Sequence, residues 1–240
     1  MKKNIEVCFS PLSFPLFKRE NSIIVIIDVL RATSAICTAF HHGVKMIIPV
    51  STIEEARSYR EKGYLIAAER NAEMIEGFDI GNSPFNYMGE HIKGKTIALT
   101  TTNGTQAIEA ARDSYKVVIG SFLNLDILSQ WLSTQQKDII LLCAGWKEKF
   151  NLEDSLCAGA LAQNLIDSGK YETFCDSALA AMQLYRLAKN DLNTFLGDSS
   201  HRKRLNKLNL EKDIQYCLIP NQTPVIPVLH GNCLVKMDEY

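Results

Sequence analysis

Ile23 to Ile27 form an unbroken β-branched run, IIVII, closed by Asp28. Side chains of a strand alternate between two faces, so a run with no polar position must be covered on both sides. That excludes a half-solvated ribbon and asks for helices above and below the sheet. The chain supplies them. "ATSAICTAFHHG" reads as a small-residue helix stopped by Gly43, and "KMIIPV" as the next strand. "STIEEARSYREKG" carries a capping signature at Ser51 or Thr52 and ends at Gly63. "YLIAAE" reads as a strand ending in Glu69, and residues 70–93 as irregular. "TIALT", "KVVIGS" and "DIILLCAG" follow as strands, with "GTQAIEAARD" and "NLDILSQWLS" as the helices between them. "LEDSLCAGALAQNLIDSG", "TFCDSALAAMQLYRLAKNDLNTFLGDS" and "SSHRKRLNKL" read as helices. "IEVCF" reads as an edge strand, and "IQYCLIP" and "VIPVLHGNCLVKM" as closing strands.

This alternation predicts an α/β chain, a three-layer α/β/α sandwich on a largely parallel or mixed sheet. No low-complexity linker divides residues 1–240, so the expectation is a single domain. Two βαβ halves repeat weakly. "DVLRATSAICTAFHHGVKMIIPVS" lies on "TTTNGTQAIEAARDSYKVVIGS" with a one-residue gap, placing Asp28 on Thr100 and Thr33 on Thr105. Any two βαβ units look alike to this degree, so chance similarity is an equal reading.

The net charge of -1 favours neither nucleic acid nor an anionic membrane as partner. No run approaches the roughly 18 apolar residues of a membrane span. Glu6, Pro11 and Pro15 interrupt the apolar start, which argues against a signal peptide. The seven cysteines are scattered without a CxxC pair, as expected of buried thiols in a reducing compartment; the expected location is cytoplasmic. A homo-oligomer is left open.

In open α/β sheets ligands bind beyond the carboxyl ends of the strands. Those positions hold Asp28 and Arg31, then Glu69, then "TTTNGT" from Thr100 to Thr105, with Glu153 and Asp154 opening the helix after "DIILLCAG". Hydroxyls beside a helix amino terminus suit a phosphate, and Gly104 lets backbone approach a ligand. Arg31 can pair bidentately with an oxyanion. Carboxylates converging on an anion repel it unless a cation intervenes, and a hard divalent ion, Mg²⁺, resolves the conflict. The bland readings are helix capping for Asp28, Glu153 and Asp154, and a buried thiol for Cys143. His201, in "SSHRKRL", reads as part of a solvated basic face. No P-loop, dinucleotide fingerprint, cysteine-phosphatase loop or aspartate-nucleophile motif occurs.

Several segments together, "IDVLRATSAI", "GFDIGNSP", "LTTTNGTQAI", "CAGWKEKFNLEDSLCAGA" and "DIQYCLIPNQTPVIPVL", resemble the 2-phosphosulfolactate phosphatase family from about Val25 to Val228. The resemblance implies a magnesium-dependent α/β/α phosphatase that converts 2-phospho-3-sulfolactate to 3-sulfolactate on the route to coenzyme M. By position it adds Asn82 to the site residues and supports Asp28, Arg31, Glu69, Thr100–Thr105, Glu153 and Asp154. Two departures stand out: "ERNAEMIEGF" lacks the expected glycines, and Arg202 replaces a glycine.

The expectation is thus a Mg²⁺-dependent phosphomonoester hydrolase acting on a small phosphorylated acid. Asp28, Glu69 and Asp154 hold the metal, and Glu153 is a general-base or supporting residue. Arg31, Asn82, Thr100, Thr101, Thr102, Asn103, Gly104 and Thr105 bind the substrate. Water is the first choice of nucleophile and Asp28 the second. The alternatives are a phosphatase of another phosphorylated hydroxy acid and a non-catalytic binder of small anions.

Overall fold

The computed structural model describes residues 2–237. In chain order the elements are β1 (Lys3–Cys8), α1 (Phe14–Phe17), β2 (Ile23–Ile27), α2 (Ala32–His41), β3 (Met46–Pro49), α3 (Ile53–Ser58), β4 (Leu65–Arg70) and β5 (Glu73–Met74). Then come β6 (Thr96–Thr100), α4 (Gly104–Ala111), β7 (Lys116–Gly120), α5 (Leu125–Thr134), β8 (Ile139–Cys143), α6 (Leu152–Asp167) and β9 (Tyr171–Glu172). The chain closes with α7 (Asp176–Ala188), α8 (Leu192–Phe195), α9 (Ser200–Lys207), α10 (Glu211–Cys217), β10 (Pro227–His230) and β11 (Cys233–Lys236).

One mixed sheet runs in the order β5-β4-β6-β3-β11-β10-β7-β2-β8-β1-β9. The unbroken run of β2 is buried at every position, and its residues divide between two cores. Ile23, Val25 and Ile27 meet Leu128 of α5, Leu161 of α6 and Ala181 of α7. Ile24 and Ile26 face the other way, toward Ile36 of α2 and Ile108 of α4. Each such side chain contributes about 1.5–3 kcal/mol by leaving water, which is why a strand without polar positions needs two helical layers.

The two βαβ units, β2–α2–β3 and β6–α4–β7, interlock. β2 lies parallel to β7 and β3 parallel to β6. The antiparallel hairpin β10–β11 is inserted between the two pairs. The β2–β7 pair and the β3–β6 pair therefore run in nominally opposite directions, so the two strands of each unit do as well, and neither unit is the parallel βαβ expected from the sequence. Five inter-strand steps separate β2 from β6, each a rotation of roughly 20–25°. The accumulated twist turns the carboxyl ends of both strands toward one cleft.

The repeat is visible in hydrogen bonds. Thr33 Oγ1 donates to Asp28 O at 2.9 Å and accepts from Asp28 N at 3.1 Å. Thr105 Oγ1 donates to Thr101 O at 2.8 Å and accepts from Thr101 N at 3.3 Å. Each threonine on the first helical turn fastens the end of the preceding strand. The geometry matches Thr33 with Thr105 as aligned, but pairs Asp28 with Thr101 rather than Thr100.

Two sequence expectations change. "IQYCLIP" is not a strand: its first residues complete α10, because Ile214, Cys217 and Leu218 share the buried side of a helical period. β1 is not an edge strand, since the two-residue β9 continues the sheet beyond it. The cap of α3 is Thr52, whose hydroxyl accepts from Glu55 N at 3.1 Å.

α6 packs closely on α7 at Gly159, where an added Cβ would lie 2.1 Å from Ala181 O. Gly159→Ala is expected to cost about 1–3 kcal/mol by overpacking, while Gly197→Ala, in open space, stays near neutral. Thermal unfolding of the two variants measures the contrast.

Candidate active site

The strand tips open into a small cleft, lined after β2 by Asp28 and Arg31, from β4 by Glu69, and from the following turn by Asn71 and Ala72. Asn82, Thr102, Asn103, Trp146, Lys147, His201 and Arg204 complete the lining.

The tips meet because Gly104 has no side chain. A Cβ there would lie 2.6 Å from Ala32 Cβ and 3.0 Å from Asp28 Oδ2. The glycine thus admits the neighbouring helix and the Asp28 carboxylate, rather than only a ligand. The threonine turn divides its work in the same way. Thr100 is buried and accepts from Arg70 Nη2 at 3.1 Å. Thr101 and Thr105 bond to each other, Thr105 N donating to Thr101 Oγ1 at 3.1 Å. Thr102 and Asn103 reach the cleft, and Thr102 Oγ1 is a buried oxygen without a protein partner. Asn103, at the amino terminus of α4, makes no capping bond with its side chain.

Arg31 is buried and ion-paired with Asp213 of α10, Nη1 to Oδ2 at 2.5 Å. Ser83 donates to the other Asp213 oxygen at 3.0 Å, and Arg31 Nη2 donates to Ala72 O at 2.7 Å. Each terminal guanidinium nitrogen carries two hydrogens, so donors remain for an oxyanion. Ala72 N in turn donates to Glu69 Oε1. Asn71 and Ala72 form the two-residue loop between β4 and β5, with φ of 56° and 70°. Both values belong to the hairpin turn that favours asparagine and glycine, so the missing glycine leaves alanine in a left-handed conformation.

Glu69 lies in the cleft beside Asp28. Asp154 does not line it: Oδ1 accepts from Val29 N at 2.8 Å and Oδ2 from Gly145 N at 3.1 Å. That carboxylate ties two strand-end loops together, and both its oxygens are occupied. Glu153 is fully buried behind His201, with Oε1 on His201 Nδ1 and Oε2 without a partner. Among the described residues, no three His, Cys, Asp or Glu side chains converge closely enough to hold a metal. Of the three carboxylates expected from the sequence as metal ligands, Asp28 and Glu69 line the cleft and Asp154 does not. Asn82 Oδ1 is a further buried oxygen with no partner.

His201 is not on a solvated face. It is 6% exposed, and its ring stacks on Trp146 at 6.4 Å between centroids and 15° between planes. Arg204 lies 5.0 Å over the same indole, and Lys147 4.9 Å. The signal was present in the sequence: His201, Leu205 and Leu208 follow at i, i+4 and i+7, the spacing of a buried helix stripe. Arg202, the other departure, lies outside the cleft and bonds Asn193 O at 2.7 Å and Glu211 at 2.8 Å, joining α8, α9 and α10.

Burial pushes the Asp28 carboxyl up to about 6; His201 opposes the rise, while the charges of Glu69 and Glu153 add to it. Burial, and then the charges of Asp28 and Glu153, hold Asp154 well above the usual carboxylate range. An acid whose folded pKa is raised binds more protons folded than unfolded, so it lowers stability as pH rises through that interval. In chelator, the wild-type Tm should therefore fall between about pH 4 and 6 relative to Asp28→Asn. Calorimetry across that range tests the sign. Ala72→Gly should raise stability by about 1 kcal/mol through relief of the positive φ, read by the same method.

The profile of the family described as 2-phosphosulpholactate phosphatase matches residues 8–232. A Thermotoga petrophila protein named probable 2-phosphosulfolactate phosphatase is 46% identical over 205 residues, covering 85% of this chain and 88% of the relative. Proteins of the same name from Caldanaerobacter subterraneus and Clostridium botulinum are 39% and 31% identical, covering 90% and 99% of this chain and 91% and 100% of the relatives. The chain therefore belongs to the 2-phosphosulfolactate phosphatase family, hydrolases that act on phosphoric monoesters.

Proposed function

We propose that this phosphatase removes phosphate from a small, multiply anionic phosphorylated hydroxy acid, with 2-phosphosulfolactate the first candidate and 3-sulfolactate, of the coenzyme M route, the product. One observation supports the reading above the others: Arg31, Lys147 and Arg204 line the same cleft as the carboxylates of Asp28 and Glu69. Cations alone would suit any anion. Two carboxylates beside them suit an anion that arrives with a metal.

The donor set fits Mg²⁺. Asp28 and Glu69 repel one another, as the upward push of Glu69 on the Asp28 pKa reports. Asn82 Oδ1 and Thr102 Oγ1 are buried oxygens without partners. Magnesium takes oxygen ligands and is typically held by one or two carboxylates, with waters and substrate phosphate completing its sphere. Asp28 and Glu69 would hold the ion, with Asn82 beside them. When bound, it supplies neutralisation of the charge on the phosphoryl oxygens.

The remaining work falls to the protein's own groups. Arg31, held by Asp213 and Ala72 O, presents its spare N–H groups to a phosphoryl oxygen. Lys147 and Arg204, which line the same cleft, would face the second acid of the substrate. Such a site acts by positioning and by charge placed in advance of the reaction. Water remains the first choice of nucleophile and Asp28 the second. The described cysteines are free and no described helix is long and apolar enough to cross a membrane, which supports the cytoplasm as the place of action.

Inorganic phosphate release from a panel of phosphorylated hydroxy acids, with and without Mg²⁺, tests the reading. Release should require Mg²⁺ and be abolished in Asp28→Asn. Arg31→Met should raise KM about 10-fold or more, the weight of a charge-assisted contact. Release indifferent to Mg²⁺ and to Asp28→Asn would reject it. Turnover of other members of the panel but not 2-phosphosulfolactate would move the substrate.

A further inference from the structure

The reaction needs a proton carrier; the reading above assigns Asp28 to the metal, and Arg31 is a guanidinium held by Asp213. His201 is the titratable group whose surroundings define its hydrogen positions. Arg204 Nη2 lies 3.0 Å from His201 Nε2. A guanidinium has donors only, so Nε2 must be the acceptor and offer its lone pair. The proton of the neutral ring then sits on Nδ1 and is donated to Glu153 Oε1. Glu153, fully buried, fixes this tautomer and faces the charge the ring would acquire. The other groups around His201 are Asp28, whose charge interacts with the ring, the indole of Trp146 stacked on it, and Lys147 over the same indole.

Arg204 thus occupies Nε2, the basic nitrogen of the neutral ring, and both side chains line the cleft. Its Nε is buried without a partner, and its guanidinium lines the same space as Arg31. An anion entering the cleft competes for those donors with a stronger acceptor than imidazole.

We propose that His201 is the general base of this phosphatase, positioned by Glu153 and masked by Arg204 until the substrate anion draws the guanidinium away. This rests on the phosphatase reading above, with water as nucleophile. A water oxygen forms the new P–O bond as the ester P–O bond breaks. The water proton passes to Nε2, and the imidazolium, held against Glu153, returns it to the departing alkoxide. Water and ester are consumed, alcohol and phosphate are released, and the ring regains its resting state. Glu153 is a positioning residue here, not the base the sequence offered.

With Mg²⁺ present, His201→Asn should lower kcat about 100-fold or more with KM within a few-fold. The loss should appear on p-nitrophenyl phosphate, because the water proton goes to His201 with either ester, and be larger on an alkyl phosphate of the panel, whose alkoxide also takes its proton from the imidazolium. A kcat within threefold of wild type, or a loss confined to the alkyl ester, would overturn the assignment. Arg204→Met should move the acid limb of kcat/KM to higher pH, and Glu153→Gln to lower pH; limbs that stay in place overturn the masking. ¹⁵N NMR of the imidazoles decides independently of turnover, and also if His201→Asn does not fold. Nδ1 of His201 should be protonated and Nε2 bare, with the Nε2 signal moving on addition of inorganic phosphate. The opposite tautomer would overturn the proposal. Failure to release phosphate from any ester, with this tautomer intact, would instead reject the substrate reading.

Discussion

The contact that the rest of the site depends on is the approach of α4 to β2 at Gly104. Asp28 Oδ2 and Ala32 Cβ both stand where a side chain at position 104 would begin. Only at that distance do two strands of opposite nominal direction share one cleft. The sheet makes the approach possible by twisting through the β10–β11 hairpin, and the two threonine fastenings keep each strand tip in register with its helix. Remove the closeness, and Thr102 and Asn103 no longer stand beside Asp28 and Arg31.

Around that contact the buried charges separate into those that build and those that face the cleft. Asp154 spends both oxygens on backbone N–H groups of Val29 and Gly145. Asp213 spends its own on Arg31 and Ser83. Asp213 thereby fixes Arg31 in the cleft, and Asp154 ties together two loops that follow strands. A buried pair such as Arg31–Asp213 gains little net stability, because desolvation offsets the attraction, but losing one partner strands a charge. Its value is that the guanidinium points one way. Glu153 and His201 repeat the pattern, and Ala72 does so through backbone, bonding both Glu69 and Arg31 from a turn that alanine occupies at a cost.

In the threonine turn, adjacent hydroxyls divide between structure and cleft. Along the chain they read as a phosphate cradle beside a helix amino terminus. Most are consumed internally: Thr100 holds Arg70, while Thr101 and Thr105 hold each other. The cleft receives Thr102 and Asn103. Hydroxyl-rich turns between strand and helix serve two purposes that look the same in one dimension, and only hydrogen-bond partners tell them apart.

By itself the sequence determined what depends on neighbours along the chain. The apolar run of β2, the helical periods, the glycine stops and the Thr52 cap are local, and they dictated a layered α/β structure with Asp28, Arg31, Glu69 and the threonine turn at strand ends. It also held the family segments, since those are strings. Tertiary structure decided everything set by partners distant in the chain: that the halves interlock around a hairpin, that Asp213 lies 182 residues from Arg31, that His201 lies 48 from Glu153, and that Asp154 turns toward backbone instead of the cleft. The physical reason is that a charged side chain is defined by what neutralises it. In water a carboxylate near a helix start and a histidine in a basic stretch look ordinary; once buried, each must find a specific donor or acceptor, and folding, not spacing, brings that partner within reach.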